Sequence, residues 1–291
     1  VRGAVVLLAG PTASGKSRLA LDLAGESHGI VINADSMQVY RELRVLSARP
    51  DAEDEAAATH RLYGHVEART RYSVGAWLAD ASAALAEARA AGRPAVVVGG
   101  TGLYFKALTE GLAPVPAIPA ALRAGLLAET SGLESAELHA RLAALDPEDA
   151  AAVRPSDRTR IVRALEVFTA TGASLAEWKR GASSTPLVDA SAAERIVLMP
   201  DRAELHRRIA ARAERMVHVG AIEEVRALLA QGLDPDLPAM KAIGVRELRD
   251  HLAGRMSLDE ATAAIKTETR RYAKRQMTWF RNQMSDWPRR E

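Results

Sequence analysis

The sequence predicts an α/β protein, with a parallel sheet, a helical insertion and a helical C-terminal part. Three observations predict it. Short apolar runs alternate with helical patterns over residues 4–101. Pro114, Pro116 and Pro119 then break that alternation within six positions. Beyond them nearly every pattern has the period of a helix.

The elements follow in order. Residues 4–9 are a continuous apolar run ending in a glycine-rich turn, as a strand buried on both faces requires. A helix follows, from Lys16 to about Gly25. Ile30 to Ile32 form a second strand leading into Asp35 and Ser36. Residues 76–91 are an alanine-rich helix stopped by Gly92 and Pro94. Residues 95–98 form a third strand leading into Gly99, Gly100 and Thr101. From Ala120 to about Ala182 only helical patterns occur, with short breaks. Residues 183–193 are small and polar and read as a loop. Residues 196–199 return to the sheet as a strand, and every later pattern is helical. Asp201 with Glu204 caps a long helix, and Ser257 with Glu260 forms a capping box before the last one. The expected organisation is a core of residues 1–113 and 194–291 around an insertion of residues 114–193. No internal repeat is present.

Composition narrows the class. With 291 residues, 48% of them hydrophobic, the chain can bury one large core or two small ones. No apolar run approaches the length of a membrane span. The first residues run straight into a glycine motif without a cleavage site, as a strand does and a signal peptide does not. The absence of cysteine excludes disulfides, thiolate zinc sites and a catalytic thiol. The seven histidines show no metal-ligand spacing. These features suit a soluble, cytoplasmic monomer with no membrane attachment. The net charge is +2, but residues 265–291 hold eight Lys/Arg and three Asp/Glu, against 31 and 34 elsewhere. Such a basic segment is either a solvated helix face or a site for a polyanion.

Gly10-Pro11-Thr12-Ala13-Ser14-Gly15-Lys16-Ser17 matches the P-loop pattern G-x-x-x-x-G-K-[ST]. Its glycines let successive N–H groups turn inward around phosphate oxygens. Lys16 adds a positive charge, Ser17 offers a hydroxyl to Mg²⁺, and the helix adds its dipole. A chance match in a chain of this length is on the order of 1%. With this motif the α/β part becomes a P-loop NTPase-like core. The motif does not say which phosphate it holds; a nucleoside triphosphate and a pyrophosphate ester suit it equally.

Ligands of open parallel sheets bind beyond the carboxyl ends of the strands. Asp35 and Thr101 follow the second and third strands at that edge. A carboxylate there serves as a general base, as a helix cap or as an indirect partner of Mg²⁺. A threonine hydroxyl there orients a nucleophile or caps the next helix. The third strand ends in Gly99-Gly100, not in the acid of an ordinary P-loop NTPase.

Taken together, these residues resemble bacterial tRNA dimethylallyltransferases, also called tRNA isopentenyltransferases. The likeness runs nearly end to end: G-P-T-A-S-G-K-S at Gly10, N-A-D-S-M-Q-V-Y at Asn33, G-G-T-G-L-Y at Gly99, D-R-T-R-I-V-R-A-L-E-V at Asp157, K-A-I-G-V-R-E-L at Lys241 and T-R-R-Y-A-K-R-Q-M-T-W-F-R at Thr269. Six motifs in this order are highly specific. The resemblance implies transfer of a dimethylallyl group from dimethylallyl diphosphate to the exocyclic amine of an adenosine beside the tRNA anticodon. The P-loop would then hold the pyrophosphate of the donor. Asp35 would be the base, Thr101 its hydrogen-bonding aid, and Lys16, Mg²⁺ on Ser17 and Arg212 would neutralise the leaving group. An allylic pyrophosphate leaves readily once its charge is neutralised, and a loop base is more easily extruded than one in a duplex.

The same resemblance places contacts with the tRNA anticodon stem-loop at Asp35, Ser36, Met37 and Gln38, at Thr101 and Arg123, at Thr159, Arg160, Ile161, Val162 and Arg163, and at Ala242, Ile243, Gly244, Val245, Arg246 and Glu247. Lys266, Arg270, Lys274 and Arg281 fall within about 80° on a helical wheel and form a candidate phosphate-facing stripe. Tyr272, Trp279 and Phe280 are expected to pack that helix onto the core. The chain departs from the family pattern at Val245, where an aromatic residue is usual. A nucleoside or small-molecule kinase is the main alternative on the same core. It would have a short arginine-rich lid in place of the long insertion. A P-loop RNA-binding switch and a free-nucleotide prenyltransferase fit the tRNA-facing segments less well.

Overall fold

The computed structural model describes residues 4–181 and 185–291. The core of residues 1–113, the helical stretch ending at about Ala182 and the loop of residues 183–193 lie in part outside the described residues, at residues 1–3 and 182–184. The chain forms two compact units, Val1–Thr109 with Pro186–Glu291, and Glu110–Thr185. The expected insertion of residues 114–193 thus extends too far at its end. Leu187 and Val188 donate their N–H groups to the Leu108 carbonyl at 3.0 and 3.1 Å. Val188 is buried in the first unit's core. Two consecutive apolar residues there outweigh the polar run before them.

The first unit is built on six parallel strands: β1 (Val5–Ala9), β2 (Ile30–Asn33), β3 (Thr59–Arg61), β4 (Ala95–Gly99), β5 (Glu194–Leu198) and β6 (Arg289–Arg290), in the order β3-β2-β4-β1-β5-β6. Alternation along the strands divides them between two faces. Leu7, Ile30, Ile32 and Val97 pack with Trp77, Phe105 and Phe280. Val6, Leu8, Val31 and Val96 pack with Ala20 and Ala24. Both faces are covered, which accounts for the unbroken apolar runs of β1, β2 and β4. The sequence reading lacked β3 and β6. Each lies at a sheet edge, and each is too short and polar, T-H-R and R-R, to carry the signal of a buried strand. The reading of residues after 199 as wholly helical is corrected by β6 and by a 3₁₀ turn at Pro238–Lys241.

The helices of this unit are α1 (Lys16–Ser27), α2 (Ala52–Ala57), α3 (Val74–Ala90) and α4 (Gly102–Glu110), and, after the second unit, α10 (Arg202–His218), α11 (Ala221–Leu229), α12 (Val245–Leu252) and α13 (Leu258–Gln283). The caps read from sequence are present. Asp201 accepts from the N–H groups of Ala203 and Glu204, and Ser257 and Glu260 cap each other reciprocally. Helices α10 to α13 and the segment after β2 share a core that includes Val39, Leu43, Met216, Val225, Leu248 and Ile265. The second unit holds α5 (Ala120–Thr130), α6 (Ser135–Leu145), α7 (Pro147–Ala152), α8 (Arg158–Thr171) and α9 (Leu175–Arg180) around Leu126, Leu138, Leu142, Ile161 and Leu165. No helix among the described residues is long and apolar enough to cross a membrane.

One glycine is dictated by strand crowding. A Cβ on Gly99, at the end of β4, would lie 2.0 Å from the Ala34 carbonyl oxygen. That oxygen belongs to backbone and has no room to retreat. Gly25, in α1, has open space around its missing Cβ. We expect Gly99→Ala to lose about 4 kcal/mol or more of stability. Gly25→Ala should gain about 0.5–1 kcal/mol. Thermal melts of the two variants check both signs; an unshifted Gly99→Ala would show that β2 and β4 can separate freely.

Candidate active site

The P-loop joins β1 to α1. Gly15 caps α1 with φ 92° and supplies no side-chain cap, so the first N–H groups of the helix are left for an external acceptor. Ala13 is also left-handed, at φ 63°. Lys16 is buried and donates its ammonium hydrogen to the Pro11 carbonyl at 3.2 Å. Ser17 is exposed and lines the cavity that the loop surrounds. The loop surrounds a cavity of about 130 Å³ that Asp35, Gln38 and Arg212 also line.

Burial pulls the Lys16 ammonium down to about 8, with the Asp35 charge opposing and the Arg212 charge adding. A bound diphosphate would restore the proton. Its affinity should therefore be fully present below that value and fall as pH rises through it, by up to about tenfold per pH unit. An alkyl diphosphate, whose last ionisation lies near about 6 by analogy with phosphate esters, keeps its own charge constant over this range. Calorimetric titration from about pH 7 to about pH 10 should show the fall in the wild type and a flat profile in Lys16→Met. A flat wild-type profile would remove Lys16 from diphosphate binding.

Asp35 is fixed by its neighbours. Asn33 is fully buried; its Oδ1 accepts from the Asp35 N–H at 2.9 Å and its Nδ2 donates to the Asp35 and Leu62 carbonyls at 2.9 and 3.0 Å. Asp35 Oδ1 accepts from the Met37 N–H at 2.9 Å, closing an Asx turn. Thr101 does not reach Asp35 by a hydrogen bond. Its hydroxyl oxygen accepts from the Ser36 N–H at 3.0 Å and donates to Ser36 Oγ at 3.3 Å. Thr101 therefore holds the turn that carries the carboxylate. The missing acid at the end of β4 also has a steric cause. Neither Gly99 nor Gly100 has space for a side chain, since a Cβ on Gly100 would lie 2.3 Å from Gln276 Nε2.

Helix α10 brings two arginines to the loop one turn apart. Arg212 donates from Nη1 to Thr12 Oγ1 at 2.8 Å and from Nη2 to the Leu46 carbonyl at 3.2 Å. Burial lowers its pKa, with the Asp35 charge opposing. Arg208 donates to the Ser14 carbonyl at 3.2 Å while paired with Glu204 at 2.6 Å. A second cavity, of about 250 Å³, adjoins the first. Its walls include Met37, Leu46, Ile209, Met216, Tyr272 and Arg275. Thr12, Asp35, Ser47 and Arg212 line both cavities and mark their junction.

Sequence reasoning did not single out Asn33, Arg208, Gln276 or Arg275, and it assigned Tyr272 to packing. The signals were present. Asn33 is a polar residue at the end of an apolar strand, and Arg208 lies one turn before Arg212. Gln276 is buried on the same helix face as Ala273 and Phe280. Phe280 and Trp279 pack against the core, as expected. Tyr272 instead lines the cavity, with the Arg275 guanidinium 5.7 Å from its ring centre.

The expected tRNA contacts are distributed unevenly. Asp35, Ser36, Met37, Ala242 and Ile243 line the larger cavity, and Gln38 the smaller. Arg246 is exposed, but Val245 is buried in the core and Glu247 accepts from the Gly244 N–H at 2.9 Å. The side chains of Val245 and Glu247 therefore pack and cap. In the second unit, Arg123 and Arg163 both pair with the buried Glu166, at 3.0 and 3.2 Å. Arg160 pairs with Asp157 at 3.3 Å and Thr159 is exposed. Ile161 is fully buried, and the partly exposed Val162 packs one side against that unit's core. The basic stripe of α13 is also corrected. Lys266 is held by Glu214 at 2.6 Å, and Arg270 is half-buried beside the core. Of these four, only Lys274 and Arg281 are exposed.

The chain is similar to known proteins. The IPP transferase family model matches residues 38–283. A tRNA dimethylallyltransferase of Methylobacterium nodulans is 55% identical over 286 residues, covering 98% of this chain and 94% of its own. One from Agrobacterium fabrum is 54% identical over 285 residues, covering 98% and 95%. The crystal structure of a tRNA isopentenylpyrophosphate transferase from Bacillus halodurans superposes with a TM-score of 0.66 at 34% identity, over 96% of this chain and 86% of that one. A eukaryotic dimethylallyltransferase captured acting on tRNA gives 0.80 at 26% identity, over 95% and 69%. With a match of this extent and relatives this similar over nearly its whole length, the chain belongs to the IPP transferase family.

Proposed function

We propose that this chain transfers the dimethylallyl group of dimethylallyl diphosphate to the N6 amine of the adenosine 3′-adjacent to the anticodon in tRNA, releasing pyrophosphate. The observation that carries this reading is the junction of two cavities at Asp35, Thr12 and Arg212. The P-loop cavity has the N–H groups and cations that a diphosphate needs. The adjoining cavity has an apolar wall for a prenyl chain and room for a flat base. In the step, the amine nitrogen attacks the allylic carbon as the C–O bond to the diphosphate breaks, its electron pair leaving with pyrophosphate. Asp35 receives the amine proton, and Lys16 and Arg212 meet the growing charge. A kinase would also need an acceptor site beside the P-loop, but the relatives, tRNA dimethylallyltransferases, do not support that alternative.

Mg²⁺ suits the donor set. Ser17 offers one exposed hydroxyl beside the cradle, and Asp35 is the carboxylate lining it. No cluster of three or more His, Cys, Asp or Glu suited to a metal occurs among the described residues. An ion held chiefly through substrate phosphates and water needs no more than this. Ser17 would hold it, and it would supply positive charge to the diphosphate. We assign the second unit to tRNA binding, with Arg123, Arg160 and Arg163 as its cationic groups, and place the reaction in the cytoplasm.

Incubation with unmodified tRNA, dimethylallyl diphosphate and Mg²⁺, followed by nucleoside mass analysis, tests the proposal. N6-isopentenyladenosine should form in step with pyrophosphate. ATP consumption without a prenylated nucleoside would sink it.

A further inference from the structure

The loops after β1 and β4 leave adjacent strands, since Ala9 pairs with Gly99 in the ladder. The Gly10 N–H to Gly99 carbonyl bond, at 3.3 Å, extends that ladder by one step. Beyond it, the Gln276 side chain of α13 ties the two loops together. Oε1 accepts from the Thr12 N–H at 2.9 Å, and Nε2 donates to the Gly100 carbonyl at 2.8 Å. The orientation of the amide is fixed, because a backbone N–H only donates and a carbonyl only accepts. The side chain is 6% exposed. A buried amide is tolerated only with its partners in place.

The two ends of this amide lead to the two halves of the reaction. Thr12 belongs to the phosphate cradle, and its hydroxyl receives Arg212. Gly100 precedes Thr101, whose hydroxyl holds Ser36 beside Asp35. We propose that Gln276 is a positioning residue that sets the separation between leaving group and base, a role that rests on the transfer reaction inferred above. The attacking nitrogen and the allylic carbon must approach to about 3–3.5 Å in line, and a displacement of about 1 Å costs on the order of a hundredfold in rate. A strut between cradle and base controls that geometry without touching either substrate.

Two variants of the full chain test this. Gln276→Met keeps the volume and removes both hydrogen bonds. Its kcat should fall about 30- to 100-fold. Its KM for dimethylallyl diphosphate and its affinity for inorganic pyrophosphate should stay within about threefold of wild type, with cooperative melting retained. Gln276→Glu keeps the acceptor for Thr12 but turns an oxygen toward the Gly100 carbonyl, and protonation restores the missing donor. Its activity relative to wild type should therefore rise as pH falls from about 8 to about 6. A Gln276→Met kcat within threefold of wild type overturns the inference. So does a loss that lies wholly in pyrophosphate affinity or in folding, or a Gln276→Glu ratio flat with pH. A wild-type chain that makes no prenylated nucleoside overturns the transfer reading and this inference with it. Normal wild-type transfer with an unimpaired Gln276→Met overturns the inference alone.

Discussion

Asp35→Asn should slow prenyl transfer in single turnover by about 10²- to 10⁴-fold, the range for loss of a positioned general base. Asparagine is the informative replacement. Its Oδ1 can still accept from the Met37 N–H, so the turn that Asp35 now closes is kept. What disappears is the proton acceptor at the junction of the cavities. The same substitution removes a negative charge from a cavity that must hold a diphosphate. Pyrophosphate titrated without Mg²⁺ should therefore bind as well or more tightly, while chemistry slows. A defect confined to the transition state has this signature, and general damage to the site does not. Filter binding of tRNA and calorimetric titration of pyrophosphate accompany the rapid-quench measurement. A single-turnover rate near wild type, with tRNA bound, would take the base role away from Asp35.

The sequence makes some of this site legible because its signals are local. The P-loop is eight consecutive residues whose spacing follows from the shape of a phosphate. Asp35 and Thr101 can be placed because strands β2 and β4 are apolar runs with clear ends, and parallel sheets collect ligands at that edge. The strands that escaped, β3 and β6, bury little and so have no period to read. The wheel of α13 failed for a related reason. It groups Lys266 with Arg270, Lys274 and Arg281, but it cannot show that Glu214 of α10 lies against Lys266. Long-range partners were hidden in general. Gln276 lies 264 positions from Thr12 and 176 from Gly100. Arg212 was identified by resemblance, but its two acceptors, at Thr12 and Leu46, emerge only from the fold. Gly99-Gly100 was noted for lacking an acid, and the structure supplies the cause, since the Ala34 carbonyl and the Gln276 amide occupy the space.

The second large effect is expected at Arg212. Its guanidinium spans from the P-loop hydroxyl of Thr12 to the carbonyl of Leu46, so one planar group is anchored at both sides of the cavity junction. Pyrophosphate gains charge as the C–O bond breaks, and a fixed cation there is worth more in the transition state than in the ground state. Arg212→Ala should lower the single-turnover rate by about 10²- to 10³-fold, as removal of one such donor does elsewhere. Arg212→Lys restores the charge but not the fork, because an ammonium cannot reach both acceptors in one plane. It should recover no more than about a tenth of the lost rate. Arg208 provides the contrast. It touches the outside of the loop through the Ser14 carbonyl and is held by Glu204, in a more exposed position. Its removal should cost less than about tenfold. Steady-state rates alone could mislead, since weaker pyrophosphate binding would also speed product release; single turnover separates the two. If Arg208→Ala proved the more damaging, or Arg212→Lys were fully active, neutralisation of the leaving group would depend on net charge at the loop and not on the fork that Arg212 forms across it.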